Sequence, residues 1–265
     1  MRILFLGDIV GRPGRDLVKA KVKQLKEDLQ LDFLVANGEN AAAGAGITSS
    51  IAHEITEAGV DGITLGDHIW DQRGFIDEIA GLPKVCRPAN LPTENPGRSY
   101  LILEKNGFKL GVFTVLGRTF MKVSADCPFR GADDIIRRLD GKCDAVLAEI
   151  HAETTSEKVA YGWYLDGRVQ MVVGTHTHIP TGDATILPRG TAYHTDAGMS
   201  GPYESILGRE IQPIILKFID GIPRRWPVAE NDVRLCGTLV EIDTEQGIAT
   251  KCEQFTLRAP VEEIA

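Results

Sequence analysis

The sequence predicts an α/β fold with its chemistry gathered at one end of the strands, and three observations carry that prediction. Apolar runs alternate with helical patterns through the first half. The second half turns increasingly to β. Five apolar runs stop at residues able to bind a metal or move a proton. Residues 2–7 lead to Asp8, 33–38 to Glu39 and Asn40, and 60–66 to Asp67 and His68. Residues 145–150 lead to His151, and 169–173 to Gly174-Thr175-His176-Thr177-His178.

Taken in order, residues 3–7 form a continuous apolar run, as expected for a strand covered on both faces. Gly11 to Gly14 read as a loop, with Pro13 placed to enter the next helix. Over 15–30, Val18, Val22, Leu25 and Leu29 keep helical spacing while Lys19, Lys21, Lys23 and Lys26 take the wet side. With the strand that follows, this makes a βαβ unit with a right-handed crossover. The glycine-rich stretch 41–46 lacks the P-loop lysine and the dinucleotide spacing, so it reads as a close-packed loop beside the site. A short helix over 48–58 is capped by Thr48 or Ser49 and stopped by Gly59. A further helix over 69–80 ends at Gly81 and Pro83.

The middle is breaker-rich from Arg87 to Gly97, and Asn106-Gly107 between two apolar runs is a hairpin signal. Helices over 131–140 and 154–164 flank a buried strand over 144–150. Residues 192–195 read as one more strand, leaving 196–199 as a loop. The tail reads as antiparallel strands over 213–218, 235–243 and 248–255, the last two joined at Glu245-Gln246-Gly247. No linker, low-complexity segment or repeat divides the chain, so one domain over 1–265 is expected.

Composition narrows the function classes. Hydrophobic residues at 43% and charged residues at 25% are ordinary for a globular protein. The net charge of -8 argues against a nucleic-acid or anionic-membrane binder, but a bound cation would still let a small nucleotide in. The five cysteines are odd in number, widely spaced and without CxxC, so neither a disulfide framework nor a thiolate zinc site is indicated. With no secretory signal and no membrane-length apolar run, a soluble, cytoplasmic protein is expected.

In an open α/β sheet, ligands collect at the carboxyl ends of the strands. All the residues named leave their strands there. His176 and His178, one residue apart on extended backbone, would point to the same side. Alone, each feature has a bland account: Asp8 as a loop cap, Glu39-Asn40 as a turn, Asp67-His68 as a helix start, His-x-His as two surface imidazoles. Their joint placement overrides these. Asp8, Glu39, Asn40, Asp67, His151, His176 and His178 are seven mixed nitrogen and oxygen donors, too many for one tetrahedral zinc. They suit two ions sharing a carboxylate, roughly 3.5–4 Å apart, which would clamp an in-line displacement at phosphorus. A water bridging such ions would be hydroxide near neutral pH, and no GxSxG or other nucleophile motif competes for its role. His53 lies in a predicted helix as a surface or packing residue, and His194 is read as structural. Asp71 could orient His68, but it reads slightly better as a first-turn helix acid. Arg87, Asn90 and Arg118 are left as solvated loop residues.

Gly7-Asp8, Gly38-Glu39-Asn40, Gly66-Asp67-His68, His151 and Gly174-Thr175-His176-Thr177-His178 resemble the calcineurin-like metallophosphoesterase signature. More closely, Gly7-Asp8-Ile9-Val10-Gly11, Asn37-Gly38-Glu39-Asn40 and the His-x-His run look like the bacterial YmdB-like subfamily. The resemblance implies a four-layer α/β/β/α sandwich with a dinuclear iron or manganese centre. It implies that Asp8, Asn40 and His178 hold the first ion, Glu39 bridges, and Asp67, His151 and His176 hold the second. His68 would be the general acid, and the substrates cyclic nucleotides of the 2′,3′ type. One residue departs from the pattern, which usually has Asn where this chain has Asp67. Three other functions remain open. They are a phosphomonoesterase for a small ester, a mononuclear amidohydrolase, and a non-catalytic regulator that binds metal or nucleotide. An amidohydrolase would carry His-x-His near its first strand, where this chain has Asp8. A β-rich C-terminal part leaves room for a homo-oligomer.

Overall fold

The computed structural model describes residues 1–259, so the end of the domain expected over 1–265 lies outside the described residues. The first half builds β1 (Arg2–Leu6), β2 (Asp8–Ile9), α1 (Gly11–Asp28), β3 (Phe33–Asn37), α2 (Ser49–Glu57), β4 (Gly62–Thr64), α3 (Phe75–Glu78) and β5 (Val85–Cys86). A hairpin of β6 (Leu101–Lys105) and β7 (Phe108–Leu116) opens the next part, followed by α4 (Pro128–Leu139), β8 (Ala145–His151), α5 (Thr155–Leu165) and β9 (Met171–Thr175). The chain then runs through β10 (Thr185–Ile186), β11 (Ala192–His194), β12 (Met199–Pro202), α6 (Ile211–Asp220), β13 (Val233–Asp243) and β14 (Ile248–Arg258).

These strands make two sheets. In the first, β1, β3, β4 and β5 are parallel neighbours, and β13 pairs antiparallel with β1, β12 and β14. In the second, β7, β8, β9 and β11 run parallel, with β6 and β10 antiparallel at its two edges. Strand alternation then decides which residues meet. Ile3, Phe5, Phe33 and Val35 of the first sheet pack against Val112, Leu147, Met171 and Val173 of the second. Leu4, Leu6, Leu34 and Ala36, one residue out of phase, pack on Val18 and Val22 of α1 and Ile55 of α2. Phe113, Val115, Ala148 and Ile150 pack on Ile135 and Leu139 of α4 and Tyr161 and Leu165 of α5. The layers are therefore helix, sheet, sheet, helix, the expected four-layer sandwich. Each fully buried side chain of this size contributes roughly 1.5–3 kcal/mol of transfer free energy.

Four segments differ from expectation. Helix α1 already starts at Gly11, so the predicted loop over 11–14 is its first turn. Only the second half of 69–80 is helical, because Gly74 at φ 86° interrupts the helix and leaves only α3 and a 3-10 turn over Ile79–Gly81. Residues 199–202, expected to begin in a loop, form β12 against β2 and β13. Residues 213–218, expected as a strand, lie inside α6. That short apolar run fits either period. Left-handed Gly221 closes it as a helix, its amide bonding the Lys217 carbonyl at 2.8 Å. No helix among the described residues is long and apolar enough to cross a membrane.

Candidate metal centre

The carboxyl ends of β1, β3 and β4 in one sheet face those of β8 and β9 in the other, and the polar residues that follow them meet across the gap. His151 Nε2, from the second sheet, lies 3.0 Å from both Glu39 Oε1 and Asp67 Oδ1 of the first. His176 Nδ1 lies 3.0 Å from His151 Nε2 and 3.3 Å from Asp67 Oδ1. Glu39, Asp67, His151 and His176 thus present four ligand atoms within 4.8 Å of one another. Beside them, the Asn40 amide sits 3.1 Å from Glu39 Oε1 and 3.2 Å from His178 Nε2. Asp8, fully buried, accepts the His176 backbone N–H on Oδ2 at 3.1 Å. The seven donors expected from the sequence are brought into one continuous cluster, with Glu39 touching both of its halves.

The far nitrogen of each imidazole is tied off, which leaves the near one a lone pair for a cation. His151 Nδ1 donates to Thr175 Oγ1 at 2.9 Å, and that hydroxyl donates to Glu149 Oε1 at 2.6 Å. His176 Nε2 donates to Glu153 Oε2 at 3.0 Å, and His178 Nδ1 to the Leu207 carbonyl at 3.2 Å. His68 differs: its Nδ1 donates to Asp71 Oδ2 at 2.7 Å, while Nε2 has no partner among the described residues and the side chain is 35% exposed. Asp71 is therefore the carboxylate that orients His68. The first-turn role is overturned, since residues 67–70 form turns and the next helix begins only at Phe75.

The His-x-His run does not work by strand alternation. Strand β9 ends at Thr175, and His176 and His178 both have positive φ, 90° and 64°. Left-handed backbone at two non-glycine residues costs free energy. The turn is held by a buried ion pair beside it: Lys158 Nζ lies 2.6 Å from Asp196 Oδ2, and the same oxygen accepts the Thr177 backbone N–H at 3.2 Å and its hydroxyl at 2.5 Å. The two imidazoles go to different places, His176 to Asp67 and His151, His178 to Asn40.

The electrostatics fit a site awaiting positive charge. Burial would raise the Asp67 pKa, but hydrogen bonds and charge from His151 and His176 hold it far below the usual carboxylate range. Burial would lower that of His151, but Glu39, Asp67 and Asp8 drive it well above the usual imidazole value. Asp8 Oδ1 is buried with no hydrogen-bond partner among the described residues, as a reserved ligand atom would be. Gly66 completes the cradle, because a Cβ there would stand 2.0 Å from Glu39 Oε2 and 2.4 Å from His151 Nε2. The residues present fit a metal-binding group.

Sequence reasoning missed the supporting shell. Glu149 is wholly buried between the sheets, accepts from Asn37 Nδ2 at 2.7 Å, and has its pKa pushed up to about 7 by burial. Asn37 Oδ1 in turn accepts the Glu39 backbone N–H at 2.9 Å. A signal was present: Glu149 interrupts an apolar strand two residues before His151, and therefore shares its face. Glu153 and the Leu207 carbonyl have no such signature. His194 is structural as expected, with Nδ1 at 2.7 Å from Thr238 Oγ1 and Nε2 at 2.8 Å from the Thr181 carbonyl. His53 is exposed on α2. Asn90 is a buried brace for Leu116 and Asp126, and Arg87 is also buried, so neither is the solvated loop residue expected.

A four-layer sandwich with this donor set at the paired carboxyl ends of its sheets defines a metallophosphoesterase. The model of the YmdB-like protein family matches residues 4–255, and the chain belongs to that family. It is 46% identical to a 2′,3′-cyclic-nucleotide 2′-phosphodiesterase of Bacillus subtilis (strain 168), over 97% of each chain. A crystal structure of a hypothetical protein from Thermus thermophilus superimposes with TM-score 0.91 at 40% identity, over 98% of this chain and 100% of that one. A novel phosphatase from Mycoplasma pneumoniae gives TM-score 0.89 at 33% identity, over 97% and 93%.

Proposed function

We propose that this protein is a dinuclear-metal phosphodiesterase acting on cyclic nucleotides of the 2′,3′ type, with His68 as proton donor. The observation that carries the reading is the tying-off of every imidazole. Three histidines present lone pairs to the donor cluster, while His68 beside it keeps an Nε2 without a partner among the described residues. The named relatives, a phosphodiesterase and a phosphatase, support phosphoric-ester hydrolysis as the reaction class. Asp8, Asn40 and His178 would hold one ion, Asp67, His151 and His176 the other, with Glu39 between; iron or manganese suits this mixed set. When bound, two such ions supply Lewis acidity at phosphorus and a hydroxide nucleophile at neutral pH. Asp71 fixes the ring of His68, which aims Nε2 to donate a proton to the departing ester oxygen. The free state of all five cysteines accords with a cytoplasmic setting.

The test is hydrolysis by protein reconstituted with iron or manganese, offered a 2′,3′-cyclic nucleotide, a 3′,5′-cyclic nucleotide and a simple phosphomonoester side by side. Turnover of the 2′,3′ diester is expected to lead, and His68→Ala to lower kcat about 10²- to 10⁴-fold while metal content holds. A preference for the monoester, or a variant as fast as the wild type, would sink the reading. Asp67 supplies a second prediction, since it places an extra negative charge on its ion and so reduces that ion's Lewis acidity. Asp67→Asn is expected to raise kcat several-fold at some cost in metal affinity, read by metal titration and initial rates. Unchanged rate at unchanged metal content would remove that role for the charge.

A further inference from the structure

Behind the loop that follows Glu39 and Asn40 lies a separate cavity of about 850 Å³, and none of the metal-site residues lines it. Its walls carry Arg12, Arg15, Arg225 and Trp226, with Thr48 and Gln72 as uncharged polar groups. Glu230 is the one acidic residue in the lining, so three guanidinium groups face a single carboxylate in a chain whose net charge is -8. A local field of opposite sign to the whole protein marks a place for an anion.

Among the described residues, none of the three arginines has an ion pair closer than 3.5 Å. Arg225 is exposed and makes no hydrogen bond or ion pair among the described residues, while Arg12 has only a loose 3.5 Å contact with Asp16 at the surface. Arg15 is half-buried: Nη1 donates to the Ala41 carbonyl at 2.5 Å, and its buried Nε has no hydrogen bond but lies 3.5 Å from Glu54 Oε2, a carboxylate whose other oxygen Lys19 Nζ holds at 2.7 Å. Trp226 is braced by the Lys217 ammonium 4.2 Å from its ring centroid. Planar guanidinium forks match phosphate oxygens, and an aromatic side chain offers a stacking platform for a base. The volume is within the range of small-ligand sites and far exceeds what a lone phosphate needs.

We propose that this cavity is a second binding site, distinct from the metal centre, for a nucleoside phosphate. Arg12, Arg15 and Arg225 take the phosphate, and Trp226 takes the base. The site adjoins the metal ligands through the backbone. Ala42 and Ala43 form part of its wall, Arg15 holds Ala41, and the Gly11 amide donates to the Asn40 carbonyl at 2.9 Å. A ligand drawing on Arg15 therefore acts on the segment that carries Glu39 and Asn40.

The experiment is calorimetric titration of the full-length, metal-loaded protein with AMP, adenosine and inorganic phosphate. AMP is expected to bind saturably and about tenfold or more tightly than either fragment, because both halves of the ligand are recognised. The double variant Arg12→Ala/Arg225→Ala is expected to weaken AMP about tenfold or more. Both side chains are exposed, so its melting temperature and metal content are expected to match the wild type. Asp67→Ala, which disrupts the metal centre, is expected to retain AMP binding. AMP binding that disappears with Asp67→Ala belongs to the catalytic centre and overturns the proposal. So do unchanged affinity in the double arginine variant, phosphate binding as tight as AMP, or no AMP binding to the wild type at millimolar concentration.

Discussion

Glu39→Ala is expected to abolish activity, lowering kcat/KM on the order of 10³-fold or more, with most of the bound metal lost. Metal catalysis of phosphoryl transfer contributes several kcal/mol, and each 1.4 kcal/mol is about tenfold in rate. Glu39 is chosen over the other donors because its two oxygens serve different neighbours. Oε1 meets Asn40 and His151, and Oε2 accepts the His68 backbone N–H at 3.2 Å. Removing it separates the two donor groups and frees the backbone of His68 in one step. Metal content by elemental analysis and initial rates on a diester read both effects. A variant that keeps its metal and a wild-type rate would show that the donor groups are held by something other than this carboxylate. Glu39→Gln sharpens the test, since it keeps the side chain's reach and removes only its charge.

The parts of this architecture legible in the sequence are those where one residue type at one position has few alternatives. An apolar strand that stops at Asp, Glu-Asn, Asp-His or His can be recognised singly, and the parallel topology then brings the ends together. The outer helices could be read from their spacing, as Val18 and Val22 of α1 bear out. What stayed hidden depends on tertiary contacts. The segment 213–218 was ambiguous because so short a largely apolar run fits a strand as well as a helix, and the left-handed cap at Gly221 closes it as a helix. Asp71 could not be assigned without knowing that Gly74 keeps its segment out of a regular helix. The geometry of His176 and His178 was hidden for a related reason. Period-two alternation predicted convergence on one side, whereas the backbone turns after Thr175 and each imidazole reaches its own partners.

That turn makes Lys158 the most consequential residue outside the donor set. Lys158→Met is expected to destabilise the protein by about 3–5 kcal/mol, because it strands the Asp196 carboxylate in the interior without its countercharge. Lys158 is 1% exposed and Asp196 fully buried, so water cannot replace the missing ammonium. Asp196 keeps bonds from the Thr177 hydroxyl and the Thr177 and Gly198 amides, the last at 2.8 Å, so loosening should spread along the segment that carries His176 and His178. Metal affinity is expected to fall about 10- to 100-fold, the usual cost of losing a group that supports the ligands. Denaturant unfolding of the metal-free protein measures the first effect, and metal titration the second. The double variant Lys158→Met/Asp196→Asn removes the stranded charge, and is expected to recover much of the stability and little of the affinity. That separation follows because Asn offers one acceptor oxygen where Asp196 uses two, Oδ2 for Thr177 and Oδ1 for Gly198. Full recovery of both would mean that the pair serves the core alone, and that the left-handed turn holds its histidines without it.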